Sequence, residues 1–134
     1  MEPKTKQFRK RNAILACLQN THLHPSAEML HEMLMREHPD ISMATVYRNL
    51  SLFKEQGTIQ SLGMVNGTER FDANTMPHVH FICNRCAAVI DLPQIAAPDQ
   101  LRNTVEEAAG GRVSECQLSF TGICQNCCQN EKTA

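Results

Sequence analysis

Two CxxC pairs set the tightest limit on what this chain can fold into. Cys83 and Cys86 form one knuckle and Cys124 and Cys127 a second, within a sequence of 134 residues. Thiolates spaced this way grip one ion from a tight turn, and two such turns brought together make a closed tetrahedral zinc site. The chain between the pairs, about forty residues, must therefore leave and return to the same place. A structural zinc there ties the last strand to the first and staples a domain too small to stand easily alone. The competing readings are a pair of disulfides or a zinc- or thiol-dependent redox enzyme. Nothing around either pair resembles a thioredoxin-like fold, and four thiolates leave the zinc no open position. The seven cysteines are odd in number and six lie beyond residue 77, which suits metal binding in a reducing compartment. Cys17 and Cys116 read as small core residues and Cys128 as a spare thiol beside a ligand.

The first pair belongs to a run of fourteen residues, HVHFICNRCAAVID, from His78 to Asp91. His78 and His80 are offset by two, so an extended backbone points both imidazoles to one side. Asp91 closes the run after a short stretch that reads as a strand. Imidazole-plus-carboxylate and thiolate sets suit different metals, so two sites are expected rather than one. Asp72, just before a short hinge, and His24, in a loop before the second helix, are further candidates of the same ligand type. This mixture suits ferrous iron or manganese, with zinc a competitor. A site drawn from both sides of the hinge would couple metal occupancy to domain orientation, the basis of a metal-responsive switch. Spacing alone leaves each histidine open between ligand and surface residue. His31 and His38 read as surface residues.

The rest of the chain supplies something for such a switch to act on. A helix is expected over residues 9–20, with Ile14, Leu15 and Leu18 on one face. Ser26 can cap a second helix running to about Glu37, burying Met29, Leu30, Met33 and Leu34. A third runs from about Met43 to Gln56 and stops at Gly57, with Val46, Leu50 and Phe53 inward. Thr45, Tyr47, Arg48, Ser51 and Lys54 face outward, the pattern of a helix-turn-helix recognition helix. TIQSLGMV and TERFD flank Asn66-Gly67, a strong hairpin signal, and three helices followed by a hairpin make a winged helix. An ordinary small helical domain is the plainer alternative. The formal net charge is only −1, but residues 1–12 hold Lys4, Lys6, Arg9, Lys10 and Arg11 against Glu2 alone.

Beyond the hinge, the HVHFIC and AAVID strands are followed by a loop from Pro93 to Pro98 and a helix over 100–109. A last strand is expected over VSECQLSFTGI, with Cys116, Leu118 and Phe120 on one side, and a frayed tail after Cys128. The core of this part looks thin, and a self-paired sheet would complete it, so a homodimer is expected. The fold class is α+β. It comprises an N-terminal winged helix-turn-helix domain at 1–72, a hinge at 73–77 and a small C-terminal α/β dimerisation domain with a three-stranded sheet at 78–134. No apolar run approaches membrane-spanning length and no apolar leader opens the chain, so the expectation is a cytoplasmic protein without a membrane partner.

The chain resembles repressors of the ferric uptake regulator family over nearly its whole length. HPSAEML, ISMATVYRNLSLFKEQG, ERFD, HVHFICNRCAAVID and GICQNC carry the likeness, in that order. Within the family it is most similar to the peroxide-sensing repressors. Members that sense iron for uptake usually have Glu at the position of Asp72, an acidic residue at that of Val79 and His at that of Cys116. The resemblance implies His24, Asp72, His78, His80 and Asp91 as ligands of a regulatory Fe(II) or Mn(II), and Cys83, Cys86, Cys124 and Cys127 as zinc ligands. It further implies that peroxide acts through iron to oxidise His24 or His78, releasing a double-stranded, palindromic operator. Manganese would support binding while staying nearly inert to peroxide. Each molecule would be consumed rather than turned over, so no enzyme is expected. Tyr47 and Arg48 are then candidates for DNA contact, with Lys54, Lys10 and Arg11 on phosphates and Thr45 and Ser51 beside them. An iron- or zinc-responsive uptake regulator that ignores peroxide is the alternative. Family members usually have a longer first helix, so part of the DNA backbone contact is expected to be missing or replaced by the basic tail.

Overall fold

The structure is a computed structural model, and it describes residues 2–76, 78–93, 95, 98–114, 116 and 118–132. The chain divides into two compact units, Met1–Thr75 and Met76–Ala134. In the first, α1 spans Glu2–Gln19, α2 Ala27–Leu34 and α3 Met43–Gln56, and strands β1 (Gln60–Val65) and β2 (Thr68–Asp72) form an antiparallel hairpin. This is the winged-helix order. Ser26 and Ser42 cap α2 and α3, each hydroxyl accepting from the backbone N–H three residues on, at 3.2 Å. Gly57 ends α3 at φ 77°, a left-handed cap. Asn66 and Gly67 take φ 51° and 81°, as a two-residue hairpin turn that matches strand twist requires.

Leu30, Leu34, Val46, Leu50 and Phe53 form the core of this unit with Ile14, Leu18, Ile41, Ile59 and Phe71. Two expectations need correction. Met33 is 38% exposed and Met29 half-buried, because α2 offers the core only the narrow stripe of Ala27, Leu30 and Leu34 and both methionines lie off it. And α1 starts at Glu2 rather than at residue 9, so the first helix is not short. Its opening turns carry no apolar stripe to announce them. Arg9, on this polar stretch, pairs with Asp40 at 2.9 Å across the turn before α3.

The second unit is a three-stranded sheet, β3 (Val79–Cys83), β4 (Val89–Leu92) and β5 (Leu118–Gly122), with helices α4 (Pro98–Ala109) and α5 (Gln125–Lys132). Strand order is β4-β3-β5; β3 runs antiparallel to β4 and parallel to β5. A parallel neighbour needs a long crossover, and the segment holding α4 provides it. Gly122 lies opposite Cys83, where a Cβ would stand 3.1 Å from the Phe81 ring. The last strand is shorter than the expected 113–123, and Phe120 is 51% exposed rather than inward. Pro77 of the expected hinge, and Glu115 and Gln117 of the expected strand, lie outside the described residues. The chain after Cys128 is helical as far as Lys132: α5 grows from the second knuckle, the Cys128 N–H donating to the Cys124 carbonyl at 2.9 Å. Its sequence has no apolar period to reveal it.

Candidate metal centres and nucleic-acid face

Cys83 ends β3, Cys86 follows in the turn, Cys124 follows β5, and Cys127 lies on the first turn of α5. All four sulfurs lie within 4.8 Å of one another, with Cys83–Cys127 and Cys86–Cys124 both at 3.7 Å. A tetrahedron with zinc–sulfur bonds of about 2.3 Å has edges of about 3.8 Å. The donor set therefore fits zinc. The sulfurs stand at non-bonded separations rather than the roughly 2.05 Å of a disulfide, which favours the metal reading of this cluster. The backbone N–H groups of Cys86 and Cys124 both donate to the Cys83 sulfur, at 3.5 and 3.4 Å. These donors pull the Cys83 thiol down to about 6, the Cys86 N–H most and the Cys124 N–H next. Cys127 is pushed up to about 12, first by its hydrogen bond with Cys124 and then by burial. The cluster thus carries a built-in thiolate to receive a cation.

Ala87 closes the first knuckle at φ 64°, its N–H donating to the Cys83 carbonyl at 3.0 Å. A left-handed residue with a Cβ costs roughly 1–2 kcal/mol. We expect Ala87→Gly to raise stability by about 0.5–1 kcal/mol, after the extra unfolded-state freedom of glycine is deducted. A lower melting temperature of the zinc-loaded variant would contradict this.

The imidazole and carboxylate ligands form one set in each unit. In the second unit His80 and Asp91 are cross-strand partners on β3 and β4. One Asp91 oxygen lies 3.2 Å from His78 Nε2 and 3.1 Å from His80 Nε2, and the two rings stand 4.2 Å apart. His78 Nδ1 lies 2.7 Å from the Met76 carbonyl, which can only accept. Nδ1 therefore donates to that carbonyl, which leaves Nε2 as the ring nitrogen that faces Asp91. In the first unit His24 and Asp72 are both buried, with His24 Nδ1 3.5 Å from Asp72 Oδ2. His24 sits at φ 49°, a backbone state worth about 1–3 kcal/mol of strain in a residue other than glycine. Strain of this kind marks functional positions.

On α3, Arg48 and Ser51 are exposed and Thr45 is half-buried, its hydroxyl 3.0 Å from that of Ser42. Lys10 and Arg11 of α1 line one groove with Thr45, Arg48, Asn49 and Gln7. Three cations thus converge on one groove of the winged helix. Sequence reasoning missed Asn49, which is buried, donates to the Thr45 carbonyl at 2.8 Å and receives Arg11 Nε at 3.4 Å. Its polarity pointed outward; only the packed groove shows its role. Tyr47 and Lys54 differ from the others. The Tyr47 hydroxyl donates to Glu28, raising its own pKa and lowering that of Glu28, while Lys54 pairs with Glu69 at 3.1 Å.

A winged helix joined to a unit with a four-thiolate cluster and a histidine–aspartate set defines the class: a metal-binding, DNA-binding regulator. The chain belongs to the ferric uptake regulator family, whose model matches residues 2–121. It is 34% identical to the peroxide operon regulator of Bacillus subtilis (strain 168) over 122 residues, covering 91% of this chain and 83% of that protein. Among solved structures it is similar to the Campylobacter jejuni peroxide stress regulator, with TM-score 0.82, 27% identity and 94% of each chain covered. The ferric uptake regulator from Pseudomonas aeruginosa with manganese matches at TM-score 0.70, 26% identity and 87% of each chain.

Proposed function

We propose that the chain is a metal-dependent transcriptional repressor that senses hydrogen peroxide, with zinc on its four knuckle cysteines and Fe(II) or Mn(II) on His24, Asp72, His78, His80 and Asp91. The observation that carries this is the pair of Nε2 atoms meeting one Asp91 oxygen, apart from the thiolates. Nitrogen and oxygen donors without sulfur suit iron and manganese. Bound ferrous iron would supply the chemistry that lets peroxide oxidise a neighbouring imidazole. In net terms His24 or His78 gains one oxygen atom and the peroxide leaves as water. Asp91 anchors both histidines of its unit, and the Met76 carbonyl fixes the His78 tautomer. Residues 73–77 serve as the hinge between domains at 1–72 and 78–134. Ligands from both sides of it let metal occupancy set the arrangement of the units, and loss of one imidazole releases the DNA.

The DNA is a double-stranded, palindromic operator read by a homodimer. Exposed Ile90, Val105 and Phe120 support a self-associating face on the second unit. Arg48 with Thr45 and Ser51 faces the bases; Lys10 and Arg11 face phosphates. Tyr47 and Lys54 join them after exchanging Glu28 and Glu69 for DNA. The protein acts in the cytoplasm and turns over no substrate. Among the described residues no helix is long and apolar enough to cross a membrane.

The test uses a duplex selected from a randomised pool by the manganese-loaded protein. Binding is measured with iron or manganese before and after a brief peroxide pulse, with intact mass and peptide maps on the same samples. The expected result is loss of binding in the iron sample alone, with one oxygen on the peptide holding His24 or His78. Binding that survives with both metals would leave an iron- or zinc-responsive regulator indifferent to peroxide.

A further inference from the structure

The backbone of His24 is left-handed although Pro25 follows it. Left-handed backbone is uncommon in any residue with a Cβ, and a following proline favours extended conformations instead. The loop does not choose this state by itself. Strand β2 holds the loop on both sides of His24. Arg70 is buried and donates from Nε to the His24 carbonyl and from Nη2 to the Leu23 carbonyl at 2.7 Å. The next residue, Phe71, donates its N–H to the Pro25 carbonyl at 3.1 Å. Three successive carbonyls of the loop are thus gripped by two successive residues of the strand. Arg70 and Asp72 are two apart on β2 and share a face, so the side chain that grips the loop stands beside the carboxylate that meets its imidazole. The hairpin register shifts between Ser61 and Gly63, opposite this stretch, which sets the strand's local twist.

We infer that Arg70 is a positioning residue for His24: its forked grip on the Leu23 and His24 carbonyls fixes the left-handed turn that holds the His24 imidazole beside Asp72. The inference rests on the reading of His24 as a metal ligand and oxidation target. Arg70→Gln removes the charged fork, and Arg70→Lys keeps a charge but not the planar pair of donors. Both are made in the full, zinc-loaded chain, with circular dichroism and zinc content recorded to establish folding. If Arg70→Gln does not fold, Arg70→Lys decides.

Mn(II) affinity, read from the free-ion resonance without peroxide, is expected to weaken roughly 10- to 100-fold, as changes behind metal ligands do. With iron and peroxide, oxygen uptake is expected to move from the peptide holding His24 to that holding His78. General loosening of the fold would depress both peptides together and leave that ratio unchanged. A folded variant with wild-type manganese affinity and a wild-type ratio overturns the inference. Wild-type protein that binds manganese but takes up no oxygen overturns the peroxide reading alone, and manganese affinity then decides the role of Arg70.

Discussion

Replacing Cys124 by serine is expected to unfold the Met76–Ala134 unit while the winged helix survives. Among the described residues, the buried apolar side chains of that unit are Val79, Cys83, Val89 and Cys124, so two of these four are knuckle cysteines. The winged helix, by contrast, buries eleven residues in one cluster. Removing a thiolate therefore takes away both a ligand and a piece of a very small core. Zinc held by such sites contributes about 10–16 kcal/mol of apparent binding energy, against about 5–15 kcal/mol for the whole stability of an ordinary domain. No margin remains once it goes. Thermal melting of the full-length variant should show one early or missing transition and one near its original temperature, with zinc content below one per chain. Strong chelation of the unmodified protein should reproduce the same curve. A variant that keeps zinc and melts as before would mean that the sulfur cluster is not what holds this unit together.

The second large effect is expected at Asp91. One of its two carboxylate oxygens stands within 3.2 Å of both His78 and His80, so replacement by asparagine keeps the shape and removes the charge that would balance a divalent cation. The loss should exceed the roughly 10- to 100-fold that changes behind a ligand cause. Metal-dependent operator binding should vanish at micromolar manganese. Zinc content and melting should stay put, because β3 and β4 keep their register with a neutral residue opposite His80. Manganese-dependent binding by Asp91→Asn at wild-type concentrations would remove Asp91 from the ligand set.

What the sequence disclosed, and what it withheld, follows the range of the forces involved. Helix α3 was legible to both ends because Ser42 and Gly57 are local signals, each answering backbone groups within one turn. The hairpin turn was equally local. The knuckles were readable because thiolate spacing within a turn is a short-range constraint. By contrast α5 has no apolar period and owes its helix to the knuckle it grows from, and α1 begins in polar turns for the same lack of pattern. His24 and Asp72 could be grouped by ligand type, but spacing left them open and family likeness alone implied them as ligands of one site. Their proximity depends on a grip between Arg70 and a loop 46 residues earlier, which no periodicity expresses. Met33 shows the opposite error, an apolar residue assigned inward by pattern but left 38% exposed beside the narrow stripe its helix buries.

One strand carries more than its length suggests. Within five residues β3 pairs His80 with Asp91, Phe81 with Phe120, and Cys83 with Gly122. A slip of one residue would turn its whole inward set to the other face. The thiolate cluster at its end pins that alignment, so failures are ordered in one direction. Damage to the cysteines disarms the histidine set as well, whereas damage to a histidine leaves the cysteines and the strand in place. On the proposed function, a molecule oxidised at a histidine would then persist as a well-folded body that no longer reports. Recovery of the cell's response would then follow the rate of new synthesis and dilution, and the population would keep a record of past exposure for about as long as the old copies last.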